Sequence, residues 1–359
     1  MNKGMLSLGF TRIKCEYCLY FRQTGDGTIL TGIHVDDFFL GASDLTQATK
    51  FKHELATIWE ILDLGAAKFC IGIAIKRDLV NHHIYLSQTA LIDKILTLFN
   101  MTDCNPVSTP MESGLVLSRH SDVALTREEE LELRELPYRH FIGLLMYLAI
   151  ATRPDIALAV QKLTQFLTFY RSIHWNAAKW VVRYLKGTQT LQLRLGGNTT
   201  ANLIGFFNAS YACCPDLGKS IGAYCFSLAN SGVISWVARK QKTVVQSMCN
   251  AEYIACSKAA HECMWLQMLT AEIGYPQKNP TPLLTDNEAA LTLTKDPRFH
   301  ARAKHINTKW HYIRECHENN DIHVLYVPTK DNIADIFTKP LPAPAFHHLR
   351  SYLGLCNLP

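Results

Sequence analysis

The chain has 359 residues, 48% of them hydrophobic and 19% charged, which excludes a disordered tail and leaves room for two domains or three small ones. A formal net charge of +5 permits a polyanionic partner without demanding one. The longest apolar run, Phe141 to Ala151, is far below the roughly 20 residues that span a bilayer, so no membrane partner is expected.

The first ten residues are too interrupted for a secretory signal, and the 12 cysteines are scattered. The expectation is an intracellular protein with reduced thiols. Cys15 and Cys18 form a C-x-x-C with no second pair at zinc-ribbon spacing, and the adjacent Cys213 and Cys214 read as small apolar residues.

In chain order, Glu16 to Arg22 and Ile29 to Val35 are apolar runs split by a glycine-rich turn, a hairpin signal. Asp36 and Asp37 follow, ahead of Phe38 to Leu40. Leu45 to Trp59 has helical spacing. Phe69 to Lys76 and His83 to Leu86 read as a strand pair, with a helix from Ser87 to Asn100 capped by Ser87. Residues 103–136, with Pro106, Pro110, serines and the charged run Arg127 to Glu135, read as an exposed linker carrying one short helix. Tyr138 to Ile150, Pro154 to Phe169 and Trp175 to Lys186 read as three helices. Pro154 suits a first turn and Gly187 a stop.

Beyond residue 199 the pattern changes. Leu203 to Phe207, Ile221 to Leu228 and Val233 to Arg239 are short strands, and Ala251 to Ile273 is helical. Leu283 to Thr285 is a strand and Asp286-Asn287 opens a helix. A helix from His305 to His317, a strand from Ile322 to Val327 and a helix near Ile333 to Lys339 complete it. Three strands, then helices alternating with two more, is an α/β layout around one mixed sheet.

Asp36 and Asp37 lie in I-H-V-D-D-F-F-L. Adjacent carboxylates repel unless a cation or ligand compensates, and along a strand they point to opposite faces. The pair is either an exposed turn or half of a site. The helices between 137 and 198 carry Arg139, Arg153, Lys162, Arg171, Lys179, Arg183 and Lys186 among Tyr and Trp residues. Such a face suits a phosphate backbone or is a solvated helix surface.

Several segments together resemble the Pol polyprotein of copia-type LTR retrotransposons. They are Asp36-Asp37 with His34 two residues before, residues 69–75 (FCIGIAI), Leu86 to Gln88 and Ser108 to Met111 (STPM). They continue with Tyr138 to Tyr147 (YRHFIGLLMY), Thr152 to Ile156 (TRPDI), His174-Trp175 and Arg183 to Thr188 (RYLKGT). The match is collinear over nearly the whole chain. It implies a reverse transcriptase palm and thumb remnant over 1–102, a linker over 103–136 and a helical connection over 137–198. A ribonuclease H-like domain over 199–342, with a mixed five-stranded sheet flanked by helices, and a tail over 343–359 would follow. Asp36 and Asp37 would be polymerase metal ligands. The resemblance places an earlier palm aspartate, the fingers and integrase further upstream than the 35 residues that precede the pair allow, so the polymerase site is expected to be incomplete in this sequence.

For the last domain the resemblance implies two Mg²⁺ (or Mn²⁺) ions, held by clustered carboxylates, that cleave RNA paired with DNA. Glu252 (N-A-E-Y), Asp286 (after P-L-L-T) and Asp335 (N-I-A-D-I-F-T-K) match three of the four acids. The fourth does not: where the family reads G-Y-S-D-A-D-W, this chain has Gly205 to Tyr211 with Asn208 at the central ligand position and Ser210 at the next. A neutral amide for a bridging carboxylate implies impaired cleavage. Asn250, where the family often has another acid, is secondary. His305, in H-A-R-A-K-H-I, is a candidate proton-transfer helper or a structural histidine. Arg183, Lys186, Lys240 and Lys304 are candidate nucleic-acid contacts. Two alternatives remain: catalysis through another ligand arrangement, and a co-opted, non-catalytic nucleic-acid binder. The family's locations are cytoplasmic particles or the nucleus.

Overall fold

The computed structural model describes residues 1–25, 27–119, 126–197, 202–228, 231–288, 291 and 307–358. They fall into two units, Met1–Lys68 with Glu262–Lys278 and Phe69–His261 with Asn279–Pro359. This division cuts the expected 1–102 segment, because the strands after residue 68 join one sheet with strands near residues 192 and 355.

In the first unit, α1 (Asn2–Ser7) precedes β1 (Thr11–Arg12), β2 (Leu19–Thr24), β3 (Gly27–His34) and β4 (Asp37–Ala42), which form an antiparallel sheet in that order. The α2 helix (Leu45–Ala56) begins where the Asp44 carboxylate accepts the Gln47 N–H at 2.9 Å, an N-cap that satisfies an otherwise orphaned donor. Met5, Phe10, Tyr20, Ile29, Phe51 and Leu55 make the core between sheet and helix. Arg22 spans it, donating to Glu54 at 2.6 Å and to the Leu8 carbonyl at 2.7 Å while its guanidinium lies over Phe10.

His34 pairs with Asp37, so Val35 and Asp36 alone make the β3–β4 turn. The two carboxylates therefore take the exposed-turn placement, one of the two readings left open by the sequence. Asp36 sits in the turn, Asp37 starts β4, and both are exposed. Val35 takes a φ of 54°, a region that a two-residue hairpin requires and that a β-branched residue tolerates poorly.

The second unit opens with β5 (Phe69–Cys70), β6 (Ile73–Asp78) and β7 (His83–Ser87), then α3 (Thr89–Leu98). Ser87 is not the helix cap: it pairs with Ala74 of β6 and is buried. The residue before the helix is Gln88, whose side-chain Oε1 accepts the Thr152 hydroxyl at 2.8 Å. The α4 helix (Arg127–Glu135) has a reciprocal capping box between Thr126 and Glu129, which stabilises both orphan donors at once. The helices α5 (Tyr138–Ala151), α6 (Ala157–Thr164) and α7 (Ser172–Gly187) lead into β8 (Gln192–Gly196). The expected helix from Pro154 is a 3-10 turn (Pro154–Ile156) followed by the shorter α6.

The stretch after residue 102 is no exposed linker. Met111 and Leu117 are buried. Trp180 donates to the Thr109 carbonyl at 2.9 Å, Arg183 to that of Asn105 at 2.7 Å, and Lys186 to that of Thr102. Arg153 is likewise no surface cation. It is buried, with Nε and Nη2 donating to the two Asp155 carboxylate oxygens at 3.0 and 2.7 Å and Nη2 also reaching the Thr188 hydroxyl at 2.7 Å. Tyr184 donates to the same carboxylate at 2.6 Å and accepts from Arg350 at 3.0 Å. Asp155 outweighs the burial that opposes the Arg153 charge and holds the guanidinium pKa above its usual value.

Next come β9 (Leu203–Ser210), β10 (Ile221–Leu228), β11 (Val233–Lys240), α8 (Met248–Glu272), β12 (Thr281–Thr285), α9 (Asn307–Glu318) and β13 (Ile322–Tyr326). Their sheet has the order β11-β10-β9-β12-β13, antiparallel among the first three strands and parallel from β9 through β13. This is the mixed five-stranded sheet expected from the pattern. The helix expected near residues 333–339 is a 3-10 turn, Ile333–Phe337.

The segment 343–359 is not a free tail. The α10 helix (Ala343–Tyr352) buries Phe346 and Leu349, and β14 (Leu355–Cys356) pairs with β8. The second antiparallel sheet thus runs β14-β8-β7-β6-β5. Gly232 and Gly354 make this possible: a Cβ on Gly354, whose φ is +85°, would lie 2.3 Å from the Gly232 Cα. Among the described residues no helix is long and apolar enough to cross a membrane.

Candidate functional site

Four sequence-predicted residues meet at the C-terminal edge of the parallel strands in the five-stranded sheet. Asn208 lies on β9, in a run of three buried residues from Phe207 to Ala209. Leu284 of β12 pairs with Phe206, so Asp286, two residues further on, arrives beside Asn208. Ser247 caps α8 by accepting the Asn250 N–H at 3.2 Å, which sets Glu252 in the helix's early turns against β9. The 3-10 turn supplies Asp335, which is almost wholly buried.

Asn208 is central to the group. Its side-chain Nδ2 donates to Asp335 and, at 3.3 Å, to Asp286. Asn332, which the sequence reading passed over, donates to Asp286 at 2.9 Å and to the Phe207 carbonyl at 3.2 Å, while its own side-chain oxygen caps Ala334 at 3.1 Å. Lys339, also unforeseen, forms an ion pair with the other Asp335 oxygen at 2.8 Å. An Asx residue just before a turn and a lysine four positions after an acid were the sequence signals for these two.

Burial raises the Asp335 pKa, Lys339 works against it, and Asp286 adds to the rise. Glu252 is further displaced. Burial first, opposed by the Ala209 N–H that it accepts and reinforced by Asp286 and Asp335, pushes its pKa up to about 8. Its Oε2 is buried with no hydrogen-bond partner among the described residues.

These donors bear on the two divalent ions implied by the resemblance. Such ions need anionic oxygens free to face them. Here an amide Nδ2 stands between Asp286 and Asp335, and an ammonium holds the remaining Asp335 oxygen. Among the described residues no group of three or more His, Cys, Asp or Glu forms a site able to hold a metal ion, Cys15 and Cys18 included. The residues present do not fit the two-ion arrangement.

The other candidates lie elsewhere. Asp36 and Asp37 belong to the first unit. Arg183 and Lys186 are half-buried and hold the 102–109 stretch through backbone carbonyls, so part of each head group is already engaged. Lys240 ends β11 opposite Ile221. Lys304 and His305 lie outside the described residues.

Residues 1–113 match the family model described as reverse transcriptase (RNA-dependent DNA polymerase). The chain is 35% identical over 98% of its length to the Retrovirus-related Pol polyprotein from transposon TNT 1-94 of Nicotiana tabacum, covering 26% of that protein. It is 30% identical over 73% of its length to the Putative transposon Ty5-1 protein YCL074W of Saccharomyces cerevisiae, covering 82% of it. Among solved structures it is similar to LC11-RNase H1, crystallised in complex with RNA/DNA hybrid, with a TM-score of 0.31, 12% identity, and coverage of 38% of this chain and 94% of that one. The chain spans about a quarter of the length of the first curated relatives it matches. With similarity running from its first residues to its last, the chain belongs to the copia-type LTR retrotransposon Pol polyprotein family.

Proposed function

We propose that this chain carries the C-terminal reverse transcriptase and ribonuclease H regions of such a polyprotein, that its ribonuclease H-like domain engages RNA–DNA hybrid, and that hybrid cleavage there is impaired. The observation that carries the impairment is Asn208. Its Nδ2 points at Asp335 and Asp286 as a donor, at the position where the resemblance places an ionised, oxygen-donating carboxylate. Losing several kcal/mol of transition-state charge stabilisation lowers a rate by several orders of magnitude, each ~1.4 kcal/mol being tenfold.

The hybrid as partner is supported by the family to which the chain belongs. The test compares the chain with its Asn208→Asp variant on an RNA–DNA hybrid in Mg²⁺. The expected result is cleavage by the variant exceeding that of the natural sequence by orders of magnitude. Equal, robust cleavage by both would overturn the proposal. The same Asn208 also supports a second reading, a non-catalytic nucleic-acid binder: hybrid affinity with a steep salt slope and no cleavage from either form would favour it.

A further inference from the structure

The acidic centre presents an electrostatic problem that the sequence alone does not solve. Three carboxyl groups, Glu252, Asp286 and Asp335, gather beside one strand end, two of them buried. Carboxylates brought this close repel, and burial removes the water that would otherwise screen them. In a metal-dependent site the cation offsets that repulsion, and such sites lose stability when it is stripped away.

Here the offset comes from the chain itself. Asn208 contributes one amide nitrogen to two carboxylates, donating to Asp335 and Asp286. Asn332 supplies a second amide to Asp286 at 2.9 Å. Lys339 supplies a full positive charge to Asp335 at 2.8 Å. Each Asp thus has two donors, and the donors come from three separate elements: β9, the residue before the 3-10 turn, and the residues after it. They tie the turn to the sheet on both sides of Asp335.

We propose that this centre is a cation-independent latch: Asn208, Asn332 and Lys339 take over the charge-offsetting role, so that the domain reaches full stability without Mg²⁺ or Mn²⁺ and binds neither tightly. The inference rests on the same position as the proposed loss of cleavage but concerns folding and ion binding. The two fail separately, since a chain can bind Mg²⁺ and still not cleave.

The test is thermal melting of the whole chain in EDTA, in Mg²⁺ and in Mn²⁺, together with Mn²⁺ binding read by electron paramagnetic resonance. A site with a Kd of about 1 mM would raise the Tm by about 3–6 °C at about 10 mM ion. The natural sequence is expected to shift by less than about 1 °C, well below that site's response, and to leave the Mn²⁺ signal at its free value. Asn208→Asp exchanges a donor for a fourth acid at the same spot. It is expected to melt lower in EDTA and to regain the loss saturably as Mg²⁺ is added. A saturable rise in Tm, or a bound Mn²⁺ fraction, for the natural sequence overturns the proposal. So does an Asn208→Asp variant as stable in EDTA as the parent. If Asn208→Asp does not fold, Lys339→Gln takes its place: a lower Tm in EDTA that Mg²⁺ restores supports the latch, and an unchanged Tm in EDTA overturns it.

Discussion

Replacing Asp155 with alanine isolates the buried ion pair of the second unit. Arg153 and Asp155 have side-chain exposures of 2% and 0%, so water does not screen the guanidinium once its partner is gone. The substitution removes two donor–acceptor contacts from Arg153 and one from Tyr184, leaving Thr188 as the remaining acceptor for the cation. Breaking a buried pair from one side costs about 3–5 kcal/mol. For a unit of this size that is a fall in Tm of about 6–20 °C. The pair itself is worth less than its breakage, because desolvating two charges offsets much of their attraction. The double variant Arg153→Met, Asp155→Leu should therefore sit well above the single one, with a coupling of about 2 kcal/mol or more. Urea and thermal unfolding of Arg153→Met alone, Asp155→Leu alone, the double variant and the parent complete the cycle. A Tm change under about 2 °C for Asp155→Ala, or a double variant no more stable than the single, would refute the reasoning.

Three further outcomes follow from named residues. The Glu252 pKa is raised from 4.5 to about 8, so the folded state holds its proton more tightly than the unfolded one. Its contribution is greatest below about pH 4.5 and is lost as pH rises through 8. In EDTA, Glu252→Gln should gain on the parent by up to about 3 kcal/mol between pH 5 and pH 7.5, and a pH-independent difference in urea midpoints would contradict this. His174 behaves oppositely: burial lowers its pKa from 6.5 to about 4, so stability is lost as pH falls through that window. The parent should lose about 2 kcal/mol relative to His174→Gln between pH 7.5 and pH 5, which parallel acid limbs of the two unfolding curves would rule out. Gly354→Ala places a Cβ 2.3 Å from the Gly232 Cα at a φ of +85°, at a cost of about 3 kcal/mol or more. The Arg194 amide, which donates to the Gly354 carbonyl at 2.9 Å, should then exchange with deuterium far faster, and unchanged protection would count against the close packing.

The five-stranded sheet was legible because its strands are short apolar runs separated by turn residues, and both edges of the pattern held. Local signals misled where a residue's partner is distant in sequence. Ser87 reads as a cap, yet its place is fixed by Ala74 across β6. Arg153 reads as part of a basic helix face, for a phosphate backbone or for solvent; the tyrosine and threonine that complete its network with Asp155 lie some 30 residues on, in the R-Y-L-K-G-T segment. Glu252, Asp286, Asp335 and Asn208 could be picked out because their order matches a family pattern. Asn332 and Lys339 end the same N-I-A-D-I-F-T-K segment as Asp335, but their local signals do not say which carboxylates they serve; the fold does, by placing them beside Asp286 and Asp335.

The pairing of β14 with β8 has a kinetic side. Leu355 finds Leu193 across about 160 positions of chain, so β8 keeps an open flank until residue 355 has been made. At roughly 5–20 residues per second on the ribosome, that is on the order of 10–30 s with one edge of a sheet unpaired, a ready template for the wrong strand. In the neighbouring five-stranded sheet the wait is shorter, Leu283 of β12 meeting Gly205 of β9 after about 80 positions. Within one polypeptide, β8 is thus among the last strands of this sheet to be secured, and a chain cut even slightly short of residue 355 would leave it without its outer partner.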